Sequence, residues 1–453
     1  MTLLRDFSPL PIVYTVRTIG QLGRYSLIPS EPIIRLLELG LRNNVEWLDI
    51  EACLPENEIK SLCTKVVNQY NHRTKILGSL HTTSSQSESQ INDLLDQVNL
   101  FGYSDILKVV TGANDESDCY LLHQICQQNK YNKPYIGLCL GTIGATSRVI
   151  NKRFTPVTHE LLSAAAPGQL SVYNLTNERI KRSLIQSKSF YLFGHPISQS
   201  VSPAMHTSSY QTLNLPYTYS LNESIDVSTY ESIIRSDSFG GASVTIPHKE
   251  TIGRYIDEVD STAKTIGAVN TIVKRDDRLI GYNTDWIGIK KPIERLLDDE
   301  VDGIAIVIGA GGTARAACYA VNQLNLQLVI YNRSPDKAIE LANQFNGKYY
   351  DINDIANASI IDPKRIKVII STIPSKAEFT VPNELLAYKP IVFDVVYKPA
   401  RTKLLQQALD HHCQIIQGAT MLLEQGIQQF ELWHQRKAPR NEMKSAVFNG
   451  IDE

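Results

Sequence analysis

The chain is 453 residues long, too many for one ordinary domain and about right for two or three. A formal net charge of −2 leaves no basic excess to hold nucleic acid, and 43% hydrophobic against 20% charged residues can fill sizeable cores. No run of about 18 apolar residues occurs, and the opening "MTLLRDFSPLPIVYTV" lacks the basic region, apolar block and cleavage site of a secretory signal, so neither a membrane span nor export is expected.

Residues 11–170 alternate short apolar runs with helical stretches. "PIVYTVR", "VEWLDIE", "KILGSLH", "SDILKVV" and "PYIGLCL" are apolar at nearly every position, which predicts parallel strands buried on both faces. Segments 30–43 and 115–130 can cover them as helices, and "TTSSQSESQ" (82–90) reads as a loop. Alternating β and α units mean a doubly wound sheet or a (β/α) barrel. Arg17, Glu51, His81 and Lys108 stand at or near the C-terminal ends of these strands, where a barrel gathers its site.

A polar, basic break follows at 175–188, "LTNERIKRSLIQSKS", and "FYLFGHPIS" opens another α/β section. In "GHPISQSVSPAMHT", Pro203 predicts the first turn of a helix, with Ser202 at its N-cap. Alone, this pattern reads as a cap and a solvated loop serine; Ser200 and Ser202 together at a helix N-terminus also make a small carboxylate site. "GGASVTIPHKE" ends in His248 and Lys249, and "LIGYNTDWIG" carries Asp285 beyond a glycine-bounded run. A lysine and an aspartate near buried strand ends are costly unless paired. Beside a nicotinamide site such a lysine gives a proton to a developing alkoxide, with the aspartate orienting it. Asn270, in "AKTIGAVNTIV", can donate and accept towards a polyol.

"GIAIVIGAGGTARAA" reads strand, glycine turn, helix. Gly309, Gly311 and Ala314 fit G-x-G-x-x-G/A, with Ala310, Gly312 and Thr313 between them. About 20 residues on, a second strand ends in Asn332-Arg333-Ser334. An arginine where NAD sites carry an acid suits a 2′-phosphate, so NADP is the expected cofactor. The seven cysteines are an odd number with no C-x-x-C pair, which argues against a disulfide framework or zinc site and for a reducing cytosol. None of the ten histidines has a convincing ligand spacing, and adjacent His411 and His412 cannot share a helix face, so no metal is expected.

These motifs in order identify a family. Residues 190–453 resemble shikimate dehydrogenase over that enzyme's whole length, through "GHPISQSVSP", "SVTIPHKE", "IGAVNTI", "GYNTDW", "GAGGTARA", "NRS", "FDVVYKPARTKLL" and "GATMLLEQGIQQFELW". The resemblance implies that Ser200 and Ser202 bind a shikimate carboxylate, that Lys249 and Asp285 are the catalytic pair, and that Asn270, Thr245 and Gln425 hold ring hydroxyls. It assigns NADP to the turn 309–314 and to Asn332, Arg333 and Ser334. Gln199 stands where many members have His, and Ser243 where bacterial members often have Asn.

The N-terminal section resembles class I 3-dehydroquinate dehydratase through "PIVYTVRT", "VEWLDIE", "GSLH", "DILKVV", "SRV" and "AAAPGQLS". The wording "TPVTHELLSAAAPGQLS…KSFYLFG" is similar to the C-terminal part of the fungal pentafunctional AROM polypeptide. That family dehydrates through a Schiff base, implying Lys108 as its lysine, His81 as general acid/base, and Arg17, Arg148 and Gln169 as substrate ligands. Burial of Lys108 without a partner would depress its pKa, as an amine nucleophile needs. The aspartate that usually follows the histidine is absent from "SLHTT", as is the glutamate of an earlier Glu-x-Arg-x-Asp strand. The barrel is thus expected to be incomplete, with six strands in place of eight. A truncated sequence, a partner chain filling the gap, and a half kept as a scaffold all stay open.

The expected organisation is a dehydratase-like barrel over 1–186, a substrate-binding domain over 187–299 rejoined by 419–453, and a Rossmann NADP domain over 300–418. The expected activity is NADPH-dependent reduction of 3-dehydroshikimate, with the dehydratase half supplying that ketone. Expected partners are these small molecules, without nucleic acid or membrane, in the cytoplasm; self-association and association with other shikimate-pathway domains are further expectations. Two rivals remain: a metabolite-sensing regulator, against which Lys249, Asp285 and Lys108 speak, and an NAD-dependent quinate dehydrogenase, against which Arg333 speaks.

Overall fold

The computed structural model describes residues 11–70, 73–158, 161, 166, 168–297, 302–356 and 361–452. The chain forms two compact units, residues 1–185 and 186–453.

In the first unit five parallel strands lie in sequence order: β1 (Val13–Thr15), β2 (Trp47–Glu51), β3 (Lys75–His81), β4 (Ile106–Thr111) and β5 (Tyr135–Cys139). Each apolar run became one of them, and the expected helices are Glu31–Arg42 and Glu116–Gln127. The expected sixth strand is not among the described residues. Thr158 bridges Ser171 there, and several residues between them lie outside the described set. The segment read as a loop ends earlier than expected. Ser87 caps the helix Glu88–Val98: its Oγ accepts from the Gln90 N–H (3.4 Å), and Gln90 Oε1 accepts from the Ser87 N–H (2.8 Å). The break at 175–188 also begins as helix, Val172–Lys181, because Ser171 caps it and Leu175 and Thr176 turn inward.

The second unit has two sheets of six strands. The first is mixed, in the order β7 (Tyr217–Glu223), β6 (Lys188–Gly194), β8 (Phe239–Val244), β10 (Thr271–Arg275), β11 (Arg278–Tyr282) and β9 (Glu258–Val259). The other is wholly parallel: β14 (Lys348–Asp351), β13 (Gln327–Asn332), β12 (Ile304–Ile308), β15 (Ile366–Ser371), β16 (Ile391–Asp394) and β17 (Ile415–Ile416). That order, reversing beside β12, is the doubly wound arrangement whose crevice binds dinucleotides. The helix Gly418–His434 leaves this sheet and packs on the first, with Phe430 at 0% exposure among Phe190, Met205 and Tyr210.

The helix after the serine pair starts one residue earlier than expected. Val201 is at its N-cap, Ser202 is its first residue, and Pro203 follows within the first turn. Ser202 does not cap: it already belongs to the helix, and Ser200 Oγ accepts the Ser202 N–H at 3.2 Å in a local hydroxyl turn.

Candidate active sites

A cavity of about 240 Å³ opens in the second unit between the mixed sheet and the glycine turn. It holds roughly eight times the ~30 Å³ share of a liquid water, room for one small ring. Its wall includes Ser200, Ser202, Thr245, Lys249, Asn270, Asp285 and Gln425, so the candidate catalytic and substrate residues of this half come together. Lys249 follows β8, and Asp285 opens the helix Asp285–Glu294. Lys249 Nζ donates to Asp285 Oδ2 at 2.6 Å, with side chains only 12% and 5% exposed. Asn270 Nδ2 donates to the other oxygen, Oδ1, at 2.8 Å and also to Thr284 Oγ1 (3.0 Å) and Gln425 Oε1 (3.3 Å). Every polar atom behind the pair is held, so the carboxylate is fixed before any ligand arrives.

Two polar wall residues, Gln429 and Tyr397, were missed. Gln429 Oε1 accepts from Ser243 Oγ (2.8 Å), which in turn accepts from the Tyr219 hydroxyl (2.8 Å). Tyr397 lines the same cavity in hydrogen-bond contact with Ser200; burial pushes its phenol up and that contact opposes the shift. Glutamines on a late helix and a tyrosine in a loop carry no local pattern that betrays a cavity.

At the crevice of the parallel sheet, Gly309 has φ +116°, and a Cβ there would lie 2.3 Å from Thr372 Oγ1, which only glycine avoids. A Cβ on Gly311 would meet nothing within 4 Å, so an open cradle lies before the N-terminus of the helix Gly312–Gln323. Ala314 is buried, which lets helix and strand pack closely, and Ala310 packs against the same core. Asn332 Nδ2 donates to the Ser334 carbonyl (2.8 Å), and Arg333 is exposed with no ion pair among the described residues. A glycine cradle, a helix N-terminus and an uncommitted guanidinium fit a dinucleotide with a 2′-phosphate.

In the first unit, alternate residues of β2, β3 and β4 put Asp49, Glu51, Ser79, His81 and Lys108 on one face. Asp49, also missed, is the hub. It accepts from Arg17 Nη2 (2.6 Å), Lys108 Nζ (3.0 Å) and Ser79 Oγ (2.5 Å). Arg17 Nη1 also reaches Glu51 Oε1 at 3.0 Å. Burial would raise the Asp49 carboxyl, but the Lys108 ammonium, the Arg17 guanidinium and the Ser79 hydroxyl outweigh it and hold it at about 2. Lys108 therefore does not stand alone as expected: β2 supplies its counter-ion. His81 is pushed down to about 3 by burial and then by the Arg17 and Lys108 cations, against the pull of Asp49. The His81 backbone N–H donates to Gln21 Oε1 at 2.5 Å, and the ring Nδ1 lies 3.3 Å from the same oxygen. Arg148 donates through Nε to the Gly168 carbonyl (3.0 Å), next to Gln169.

Fold and sites together define a two-part α/β protein, a parallel-sheet unit with a largely buried lysine followed by a unit whose doubly wound sheet carries a dinucleotide-type crevice beside a Lys–Asp pair. Type I 3-dehydroquinase matches residues 1–178. The shikimate dehydrogenase substrate-binding domain matches 192–272, shikimate/quinate 5-dehydrogenase 293–387, and the shikimate 5′-dehydrogenase C-terminal domain 418–448. The chain is 34% identical to the pentafunctional AROM polypeptide of Malassezia globosa, over 99% of its own length and 29% of that protein. The AROM polypeptide of Schizosaccharomyces pombe is likewise 34% identical, over 97% of this chain and 29% of its own. Among solved structures, the dehydroquinate dehydratase and shikimate dehydrogenase from S. pombe AroM is 33% identical, with a TM-score of 0.78 over 99% of this chain and 88% of that one. The shikimate 5-dehydrogenase of Thermus thermophilus, solved with NADP(H) and shikimate, is 27% identical over 58% of this chain and 99% of its own, with a TM-score of 0.52. The chain belongs to the type I dehydroquinase–shikimate dehydrogenase family, and it spans 29% of the length of the AROM polypeptides it matches.

Proposed function

We propose that the second unit reduces the ketone of 3-dehydroshikimate to shikimate with NADPH, and that the first unit forms 3-dehydroshikimate by dehydrating 3-dehydroquinate through a Schiff base. The buried Lys249–Asp285 pair in a cavity beside a dinucleotide crevice carries the first half of this reading. The cofactor, when bound at Gly309–Ala314 and Arg333, supplies the reducing equivalent. Ser200 and Ser202 take the substrate carboxylate, Thr245, Asn270 and Gln425 its hydroxyls. Lys249 Nζ gives its proton to the ketone oxygen as that oxygen gains charge, and Asp285 Oδ2 holds the ammonium in place. Lys249→Ala is expected to lower kcat by about 10²–10⁴ while calorimetry still shows shikimate binding. Near-normal kcat in that variant sinks the assignment.

For the first unit, the Asp49-centred network carries the reading. Lys108, relieved of one proton, attacks the ketone carbon and loses water to form an imine. His81, neutral and adjacent, takes the proton beside the imine and returns it to the departing hydroxyl. Borohydride added with 3-dehydroquinate should fix the adduct on Lys108, read by peptide mass; a mass gain elsewhere, or none, excludes Lys108 as the amine. Arg17, Arg148 and Gln169 hold the substrate. The cytoplasm is the proposed location: the cysteines are free thiols, and among the described residues no helix is long and apolar enough to cross a membrane.

A further inference from the structure

The ammonium of Lys249 has three N–H donors. Asp285 Oδ2 takes one at 2.6 Å, and Thr313 Oγ1 takes a second at 3.3 Å. The two acceptors come from different parts of the unit. Asp285 belongs to the substrate lobe, whereas Thr313 is in the first turn of the helix Gly312–Gln323, directly after the glycine turn. The lysine stem also packs there: a Cβ on Gly312 would lie 3.3 Å from Lys249 Cβ and 3.4 Å from its Cδ. The same helix is fastened to the substrate lobe further along, where Arg315 Nη1 donates to the Ile266 carbonyl at 3.4 Å.

We infer that Thr313 is a positioning residue for Lys249, its hydroxyl fixing the rotation of the ammonium so that the third N–H points into the substrate cavity. The inference rests on the reading of Lys249 as the proton donor. One acceptor would leave the ammonium free to spin about the line to Asp285; two acceptors at different bearings define the direction of the third donor. The hydroxyl is one residue from the glycine turn, so the element that receives the dinucleotide also aims the proton. The hydroxyl favours the charged lysine, because it accepts from the ammonium and not from the neutral amine's lone pair. The other charged groups nearby are Asp285, which favours the same form, and Glu250, which faces Arg315 at 3.9 Å. His248 points away, its Nε2 at 2.7 Å from the Ser224 carbonyl.

The test uses the full chain carrying ¹³Cε-labelled lysine, with Lys249→Arg to assign the signal. Thr313→Val keeps the branched shape and removes the acceptor; Thr313→Ser restores it. The Lys249 titration midpoint, without cofactor, should fall in Thr313→Val and stay at the wild-type value in Thr313→Ser. In turnover of shikimate with NADP, Thr313→Val should lose about tenfold in kcat with the KM for shikimate little changed, and Thr313→Ser should recover most of it. A midpoint that does not move in Thr313→Val overturns the link whatever the activity. A serine variant as impaired as the valine variant also overturns it, since the hydroxyl would then not be the cause. A midpoint that moves in Thr313→Val, in a protein whose wild-type chain shows no turnover, upholds the link and refutes the activity reading instead.

Discussion

Burial and two cations keep His81 neutral down to about pH 3. Its folded value lies below the ordinary 6.5, so it is ready as a base throughout the neutral range and loses that role only as pH falls towards 3. The dehydratase rate of the free enzyme should therefore show no acid limb near pH 6.5. A pH profile of kcat/KM with a limb at 6–7 that His81→Asn removes would show the ring solvated and the network wrong. Asp49 shows why this site was only partly readable. An acid in "WLDIE" looks like any surface acid until the register places it among Arg17, Ser79 and Lys108. His81 and Lys108 were found because a family motif surrounds each; Asp49 and Gln21 were not quoted for any role.

One acid holds three helices of the second unit together. Glu424, fully buried in the helix Gly418–His434, accepts from Arg295 Nη1 (2.8 Å) and from Arg440 Nη1 (3.1 Å), the latter at the start of the helix Arg440–Asp452. Burial alone would raise its carboxyl; the Arg440 and Arg295 hydrogen bonds and charges hold it below the usual carboxylate range. Glu424→Gln should cost about 2 kcal/mol, read as a lower urea midpoint with unchanged m. An unchanged midpoint would mean that water serves the arginines equally well. The elements differed in how far sequence revealed them. "GIAIVIGAGG" showed strand and turn together, because the glycine spacing and the apolar run are adjacent. The serine helix was placed one residue off, because Val201 and not Ser202 stands at its N-cap and Ser200 Oγ accepts the Ser202 N–H. Gln429 was invisible, since its partner Ser243 lies 186 residues away.

The second unit as a whole carries two histidines that fold neutral. His206 is pushed to about 3 by burial and then by His434, against a Gln429 hydrogen bond; His434 is pushed to about 3 by burial and then Arg436. Both folded values lie below the ordinary 6.5, so the native state refuses protons that the unfolded chain accepts. Their stabilisation is complete above pH 6.5 and is lost as pH falls from 6.5 towards 3, at up to about 1.4 kcal/mol per pH unit for each group. Urea unfolding followed by Trp433, whose ring centroid is 5.0 Å from that of His206, should give a midpoint that drops between pH 7 and 5. A flat midpoint over that range would refute the neutral pair. The parallel sheet lies between two stretches of chain that both build the substrate cavity, with Gln425 and Gln429 coming from the helix Gly418–His434 beyond that sheet. On the ribosome, then, β6 to β11 emerge first but cannot close their pocket until the intervening sheet has been made and residue 429 has left the exit tunnel. Nascent chains stalled before Gly418 should carry Lys249 and Asp285 in a pocket with its back wall missing, so ligand capture becomes available only near the end of translation of this unit.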